Sequence, residues 1–134
     1  MNYKFLEHTA DLSIRVFGND LSEIICNSVF ATADLIYPVK RLSKNARTGR
    51  NYSFVSREEM LVKILTDVIN EFELNLTLYF CCDSLEINEK SAFISMSGHA
   101  FTRMPSVRNV LKSATYHDLS MNAVNGHVDL TFDL

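Results

Sequence analysis

No phosphate-cradling loop, nucleophile elbow or zinc-protease helix is written into these 134 residues: the P-loop, GxGxxG, GxSxG and HExxH patterns are all missing. With 4 glycines in the whole chain, a backbone nest for nucleotide phosphates is hard to build, which argues against a self-sufficient nucleotide enzyme. Cysteine is scarce as well. Cys26, Cys81 and Cys82 form no CxxC and no Cys/His zinc spacing. Buried, reduced thiols are expected, with neighbours 81 and 82 pointing to opposite faces if they lie on a strand. No apolar run approaches the ~18 residues that span a bilayer. The first turn of sequence, MNYKFLEHTADLSIR, carries Glu7 and Asp11 and lacks the apolar stretch of a secretory leader. A soluble, cytoplasmic protein without a membrane partner is the expectation. No internal repeat and no linker divides the chain, so residues 1–134 are expected to form a single domain.

What is present is ordinary globular composition, 47% hydrophobic and 22% charged, with an uneven spread of charge. Residues 1–39 carry a net −3, residues 40–63 a net +5 and residues 64–134 a net −5. A general nucleic-acid binder is thereby excluded, yet one basic segment, Lys40, Arg41, Lys44, Arg47, Arg50 and Arg57, lies inside an acidic molecule.

Leu12, Ile14 and Val16 alternate with Ser13, Arg15 and Phe17, the period of a half-buried strand, and a shorter strand, Tyr3 to Leu6, precedes them. Asp20 with Glu23 resembles a capping box, and Leu21, Ile24, Ile25, Ser28, Thr32, Leu35 and Ile36 follow at helical spacing. This helix should stop before Pro38. The segment 38–50 shows no periodicity and reads as a loop, after which Tyr52 and Phe54 start a strand. Ser56 and Glu59 form a second capping box, ahead of the apolar stripe Met60, Leu61, Ile64, Leu65, Val68, Ile69 and Phe72.

From residue 76 onward the pattern is strand. Runs at 76–80, 84–88 and 92–98 are predicted, with a turn at Asn88-Glu89-Lys90-Ser91. A further strand is expected over 114–124, and Asn125-Gly126 suits a hairpin turn. In the last strand Val128, Leu130, Phe132 and Leu134 share one face, so Leu134 is expected to enter the core. The elements describe an α+β two-layer sandwich: a mostly antiparallel sheet of about six or seven strands with two helices packed on one face.

Two segments concentrate ionisable groups near strand ends: Glu7-His8-Thr9-Ala10-Asp11 and Lys112-Ser113-Ala114-Thr115-Tyr116-His117. Each also has a plain structural reading, as turn residues and a satisfied strand histidine. At the carboxyl end, Asp133 and the oxygens of Leu134 are adjacent hard donors of the kind that Ca²⁺ or Mg²⁺ takes. Whether Asp11 meets them depends on strand register.

Taken together, Tyr3-Lys-Phe-Leu-Glu-His-Thr-Ala-Asp11, the Lys112–His117 segment and the closing Asp133-Leu134 resemble the archease family, in order, spacing and length over essentially the whole chain. The resemblance implies a small metal-binding protein cofactor of the GTP-dependent RNA ligase of tRNA splicing and RNA repair. Such a cofactor promotes guanylylation of the ligase and its multiple turnover, and is not itself an enzyme. It further implies a divalent metal, calcium favoured over magnesium or manganese, held by Asp11, Asp133 and Leu134. His8, Lys112 and His117 would line the working surface, with RNA met only through the ligase. Leu12-Ser13 stands where the family usually has Ile-Gly, Thr66-Asp67 where it has Asn-Glu, and Thr102-Arg103 where an acidic residue commonly follows phenylalanine. Two other readings stay open: a general chaperone or modulator of proteins in RNA or DNA processing, and a small hydrolase using Asp11, Lys112 and His117.

Overall fold

The computed structural model describes residues 2–6, 11–117, 119–121 and 126–134. Among these, two α-helices and seven strands occur, in the order β1 (Tyr3–Leu6), β2 (Leu12–Phe17), α1 (Leu21–Ile36), β3 (Ala46–Ser53), α2 (Arg57–Asn75), β4 (Thr77–Ile87), β5 (Ser91–Ala100), β6 (Ser113–Thr115) and β7 (His127–Asp133). A single 3-10 turn, Val39–Arg41, follows α1. Every described strand pairing is antiparallel. The strands divide into two sheets, ordered β1-β2-β7-β6 and β3-β5-β4.

Both helices start where the caps require. Asp20 accepts the Glu23 amide at 2.8 Å, and the Glu23 carboxylate accepts the Asn19 amide at 3.3 Å. Ser56 accepts the Glu59 amide at 3.1 Å, while Glu59 reaches back to the Val55 amide at 3.2 Å. In each case the reciprocal bond lands one residue before the cap, so orphan donors on both sides of the helix start are satisfied. Tyr37, ahead of Pro38, is extended and ends α1. α1 packs against β2, β4 and α2, and it is buried on more than one face. Its buried hydroxyls, Ser28 and Thr32, bond back to the carbonyls of Ile24 and Ser28 at 2.7 and 2.8 Å, so neither adds an unmatched polar group to the core.

The core between helices and sheets is built from Ile14, Val16, Ile25, Val29, Leu61, Leu65, Ile94 and Phe132 among others, each at most 1% exposed or fully covered. The stripe on α2 is buried as its spacing requires, from Met60 through Phe72.

Four expectations need correction. The segment 38–50 is not one loop: it holds the 3-10 turn and most of β3, which runs from Ala46 to Ser53, and Phe54 lies beyond that strand's end. Apolar periodicity could not reveal β3, because its covered face presents Ala46, Thr48 and Arg50 before Tyr52. The runs at 76–80 and 84–88 are one strand, β4, whose register against β5 shifts at Phe80 and again at Asp83. Such bulges twist a strand and break its alternation, and ahead of them Thr77, Leu78, Tyr79 and Phe80 are all buried. β6 ends at Thr115 rather than near residue 124; positions 118 and 122–125 lie outside the described residues. Finally, Leu134 is 50% exposed, and the apolar face of β7 stops at Phe132. The strand ends at Asp133, so alternation no longer dictates where the next side chain goes.

Asn125 of the expected hairpin turn lies outside the described residues. Gly126 takes φ 66°, the left-handed conformation that such a turn needs.

Candidate functional site

The centre of the four-stranded sheet brings the two ends of the chain together. β2 pairs with β7 from Phe17/His127 to Leu12/Phe132. Because side chains alternate, one face of this ladder carries the apolar residues Leu12, Ile14 and Val16 opposite Phe132, Leu130 and Val128. The opposite face carries Ser13 opposite Thr131, Arg15 opposite Asp129 and Phe17 opposite His127. Asp11 and Asp133 each lie one residue beyond the Leu12/Phe132 pair, the last of this ladder.

Three polar pairs on this face are tightly made. Ser13 and Thr131 hydroxyls lie 2.9 Å apart, both buried. The Ser13 hydroxyl is thus matched by a partner on β7. Arg15 grips Asp129 with two hydrogen bonds, Nε to Oδ1 at 2.7 Å and an Nη nitrogen to Oδ2 at 3.0 Å. That hydrogen bonding holds the Asp129 carboxyl below the ordinary carboxylate range, against the opposing effect of partial burial. Ser113, at the start of β6 and opposite Asp133, donates its hydroxyl to Asp133 Oδ2 at 3.2 Å.

Asp133 is exposed and Asp11 half-buried. Among the described residues neither carboxylate forms an ion pair with a lysine or an arginine. The carboxylates of Asp11 and Asp133 lie at the ends of paired strands, and negative charge there is of the kind that a hard cation would balance. Among the described residues, no three His, Cys, Asp or Glu side chains come close enough to hold a metal ion. A cation here would need main-chain oxygen, such as that of Leu134, and water to complete its shell.

The remaining predicted site residues are placed unequally. Lys112 is exposed and sits against the end of β7, its amide donating to the Asp133 carbonyl at 2.9 Å. His117 is exposed, two residues past β6, with its amide on the Thr115 hydroxyl at 3.2 Å. His8 lies outside the described residues. Ser113, Ser13–Thr131 and Arg15–Asp129 escaped the sequence reading. Their signal was there in the alternation of β7, but it becomes legible only once the register with β2 and β6 is known.

The basic segment is partly absorbed by the fold. Arg50 donates to Glu71 at 2.7 Å and lies 3.7 Å from Asp67, which also accepts the Tyr52 hydroxyl at 2.7 Å. Burial pushes the Glu71 carboxyl up, but hydrogen bonds from Arg50 and Asn75 outweigh it and leave the group below its usual range. Lys40, Arg41, Lys44, Arg47 and Arg57 are exposed and make no ion pair among the described residues.

Among the described residues no helix is long and apolar enough to cross a membrane. The model of the Archease protein family (MTH1598/TM1083) matches residues 3–134. Protein archease of Thermoplasma volcanium is 28% identical over 134 residues, covering 100% of both chains. Protein archease of Methanosarcina acetivorans is 26% identical over 126 residues, covering 89% of this chain and 85% of its own. The fold matches the solution structure of Methanobacterium thermoautotrophicum protein 1598 with a TM-score of 0.74 at 14% identity, over 99% of each chain. It also matches the crystal structure of an archease from Thermotoga maritima, described as a possible chaperone, with a TM-score of 0.63 at 16% identity over 98% of this chain and 96% of that one. With the HTAD and TYH segments, the Asp-Leu ending and a family match running from the first strand to the last residue, the chain belongs to the Archease family.

Proposed function

We propose that this protein is a metal-binding cofactor of the GTP-dependent RNA ligase, promoting guanylylation of the ligase and its repeated turnover in tRNA splicing and RNA repair. The observation that supports it is the pairing of β2 with β7 as far as Leu12/Phe132, which brings the strand ends that carry Asp11 and Asp133 together in a chain of the Archease family. In this reading Asp11, Asp133 and a main-chain oxygen of Leu134 hold a divalent cation, calcium in preference to magnesium or manganese, all three donors being hard oxygens. Ser113 orients the Asp133 carboxylate from β6. A bound cation supplies positive charge that ties the entry of β2 to the end of β7. Lys112, beside Asp133, together with His8 and His117 forms the surface offered to the ligase, and RNA is met only through that partner.

The test is ligation of RNA ends by the purified ligase with GTP and divalent metal, with and without this protein. The protein alone joins no RNA, and its addition raises the number of products formed per ligase. Unchanged turnover at saturating protein rejects the proposal and favours a general chaperone of RNA- or DNA-processing proteins; the Thermotoga maritima archease is itself described as a possible chaperone.

A further inference from the structure

β1 is an edge of the four-stranded sheet, with β2 between it and β7. Phe17 donates its amide to the Asn2 carbonyl at 2.9 Å. Bonded and unbonded pairs alternate along an antiparallel ladder, so Asn2, Lys4 and Leu6 turn their main-chain groups toward β2. The amides and carbonyls of Tyr3 and Phe5 point the other way, and among the described residues no main-chain hydrogen bond reaches them. A groove of about 550 Å³ lies against this edge, between β1, α1 and the chain at 108–109. Its far wall is fixed to the end of α1: the Arg108 amide donates to the Ile36 carbonyl at 2.7 Å, and the Asn109 side-chain amide to the Leu35 carbonyl at 2.7 Å. Tyr3 and Phe5 share the core face, opposite Val16 and Ile14, yet Phe5 is 60% exposed, and Phe30 beside the same groove is half-buried. Apolar surface therefore adjoins unpaired strand groups, the two features that an added strand uses. Two cations and one carboxylate line the groove: Lys40, Arg108 and Asp34. Asp34 is committed within the fold, accepting the Tyr3 hydroxyl at 2.7 Å and the Val39 amide at 3.3 Å, with Arg108 at 3.8 Å. Lys40 is exposed and makes no ion pair among the described residues, and so is Lys4 on the other face of β1. The groove is thus positive on a chain whose net charge is −3.

We propose that this edge docks an acidic, extended segment of a partner protein, which pairs with β1 as a further strand of the sheet. The Tyr3 and Phe5 amides and carbonyls supply the main-chain bonds. Side chains of the segment alternate, so every second one faces the groove. An apolar side chain there covers Phe5 and Phe30, and an acidic one two positions away meets Lys40 or Arg108. The residues between them lie over the face that carries Lys4 and Leu6, where Lys4 again favours negative charge. The cations select the partner: they attract an acidic segment during encounter and repel a basic one, which a bare strand edge would accept equally. Lys4 and the brevity of β1 also discourage indiscriminate pairing with other edges.

The experiment titrates the full-length, isotope-labelled protein with the peptide acetyl-Thr-Glu-Val-Leu-Val-Glu-Thr-amide and follows amide shifts and hydrogen exchange by NMR. Its palindromic order puts the leucine and both glutamates on one face in either strand direction. The expected result is saturable shifts at Tyr3, Phe5 and Phe30, with slower exchange of the Tyr3 and Phe5 amides and unchanged exchange along β3, the edge strand of the other sheet. The same peptide with lysine for both glutamates binds more weakly by roughly threefold or more. Lys40→Glu, at an exposed position outside any ion pair among the described residues, narrows or reverses that preference. Absence of saturable shifts at millimolar peptide overturns the proposal, as does equal affinity for the lysine peptide. Shifts without slowed exchange at Tyr3 and Phe5 overturn it too, since the strand would not have paired. Slowed exchange at those amides that grows with protein concentration before any peptide is added makes a second copy of this chain the occupant, and overturns the proposal of an acidic partner.

Discussion

At the scale of single residues, Asp11 and Asp133 carry the account. Replacing either with alanine removes a charged oxygen from a site with few others, and affinity in such sites follows the number of charged ligands. Calcium titration by calorimetry should show a loss of about tenfold or more, on the scale of ~1.4 kcal/mol per decade. Metal-free melting should hold or rise slightly, since one of the proposed site's two negative charges is gone. Deleting Leu134 separates metal binding from folding more cleanly than the sequence pattern predicts. Its side chain is 50% exposed, so its loss costs less than the ~1.5–3 kcal/mol of a fully buried leucine. A second residue, Asp129, sets a pH dependence. Its carboxyl is lowered by the Arg15 hydrogen bonds, so its stabilisation is complete above the unfolded value of about 3.9 and is lost as pH falls through the folded one. Asp129→Asn should melt below the parent at pH 7, and the gap should close in acid; equal gaps at pH 7 and pH 2, followed by circular dichroism, would contradict this. Both Asp11 and Asp133 were legible as candidates because carboxylates stand at strand ends. That their strands pair side by side is a matter of register, which the sequence leaves open.

At the scale of elements, the helices were readable because their caps are local: Asp20 and Ser56 each satisfy an amide three residues on. β3 was not, because a strand is found by alternating apolar residues, and the covered face of β3 offers Arg50 to Glu71 and Asp67 on α2 instead. β4 was split in two because its bulges at Phe80 and Asp83 disturb the alternation midway. The basic segment consequently has two parts. Arg50 is a structural cation, while Lys40, Arg41, Lys44 and Arg47 stand exposed around the start of edge strand β3. Charges of the second kind act on association rate and are screened by salt. Changing those four to serine should slow binding to the ligase at low ionic strength and have little effect at high salt, as read by stopped-flow or surface plasmon resonance. Equal rates at low salt would show that these cations serve only as a solvated surface.

At the scale of the whole molecule, the α+β architecture and the strand count follow from the sequence, whereas the division into two sheets does not, since it depends on which strands pair. Phenols add a limit on stability at high pH. Tyr3 and Tyr52 are raised well above the ordinary phenol range by burial first and by their hydrogen bonds to Asp34 and Asp67 second. The unfolded chain therefore releases those protons near pH 10 while the folded one keeps them, and stability should fall as pH rises beyond about 10. Thermal melts between pH 9 and pH 11.5 check it, with Tyr3→Phe and Tyr52→Phe showing a flatter decline than the parent. The central claim joins this fold to one partner through two carboxylates at the end of one strand pair. The measurement that addresses it most directly is the fraction of GTP-dependent RNA ligase carrying covalent GMP. It is followed over time with radiolabelled GTP and calcium, in the presence of the parent protein or of the Asp11→Ala and Asp133→Ala variants. The account predicts rapid guanylylation with the parent and the rate of ligase alone with each variant, both variants melting no lower than the parent in the absence of metal. Guanylylation at the parent rate with folded Asp11→Ala and Asp133→Ala would contradict it.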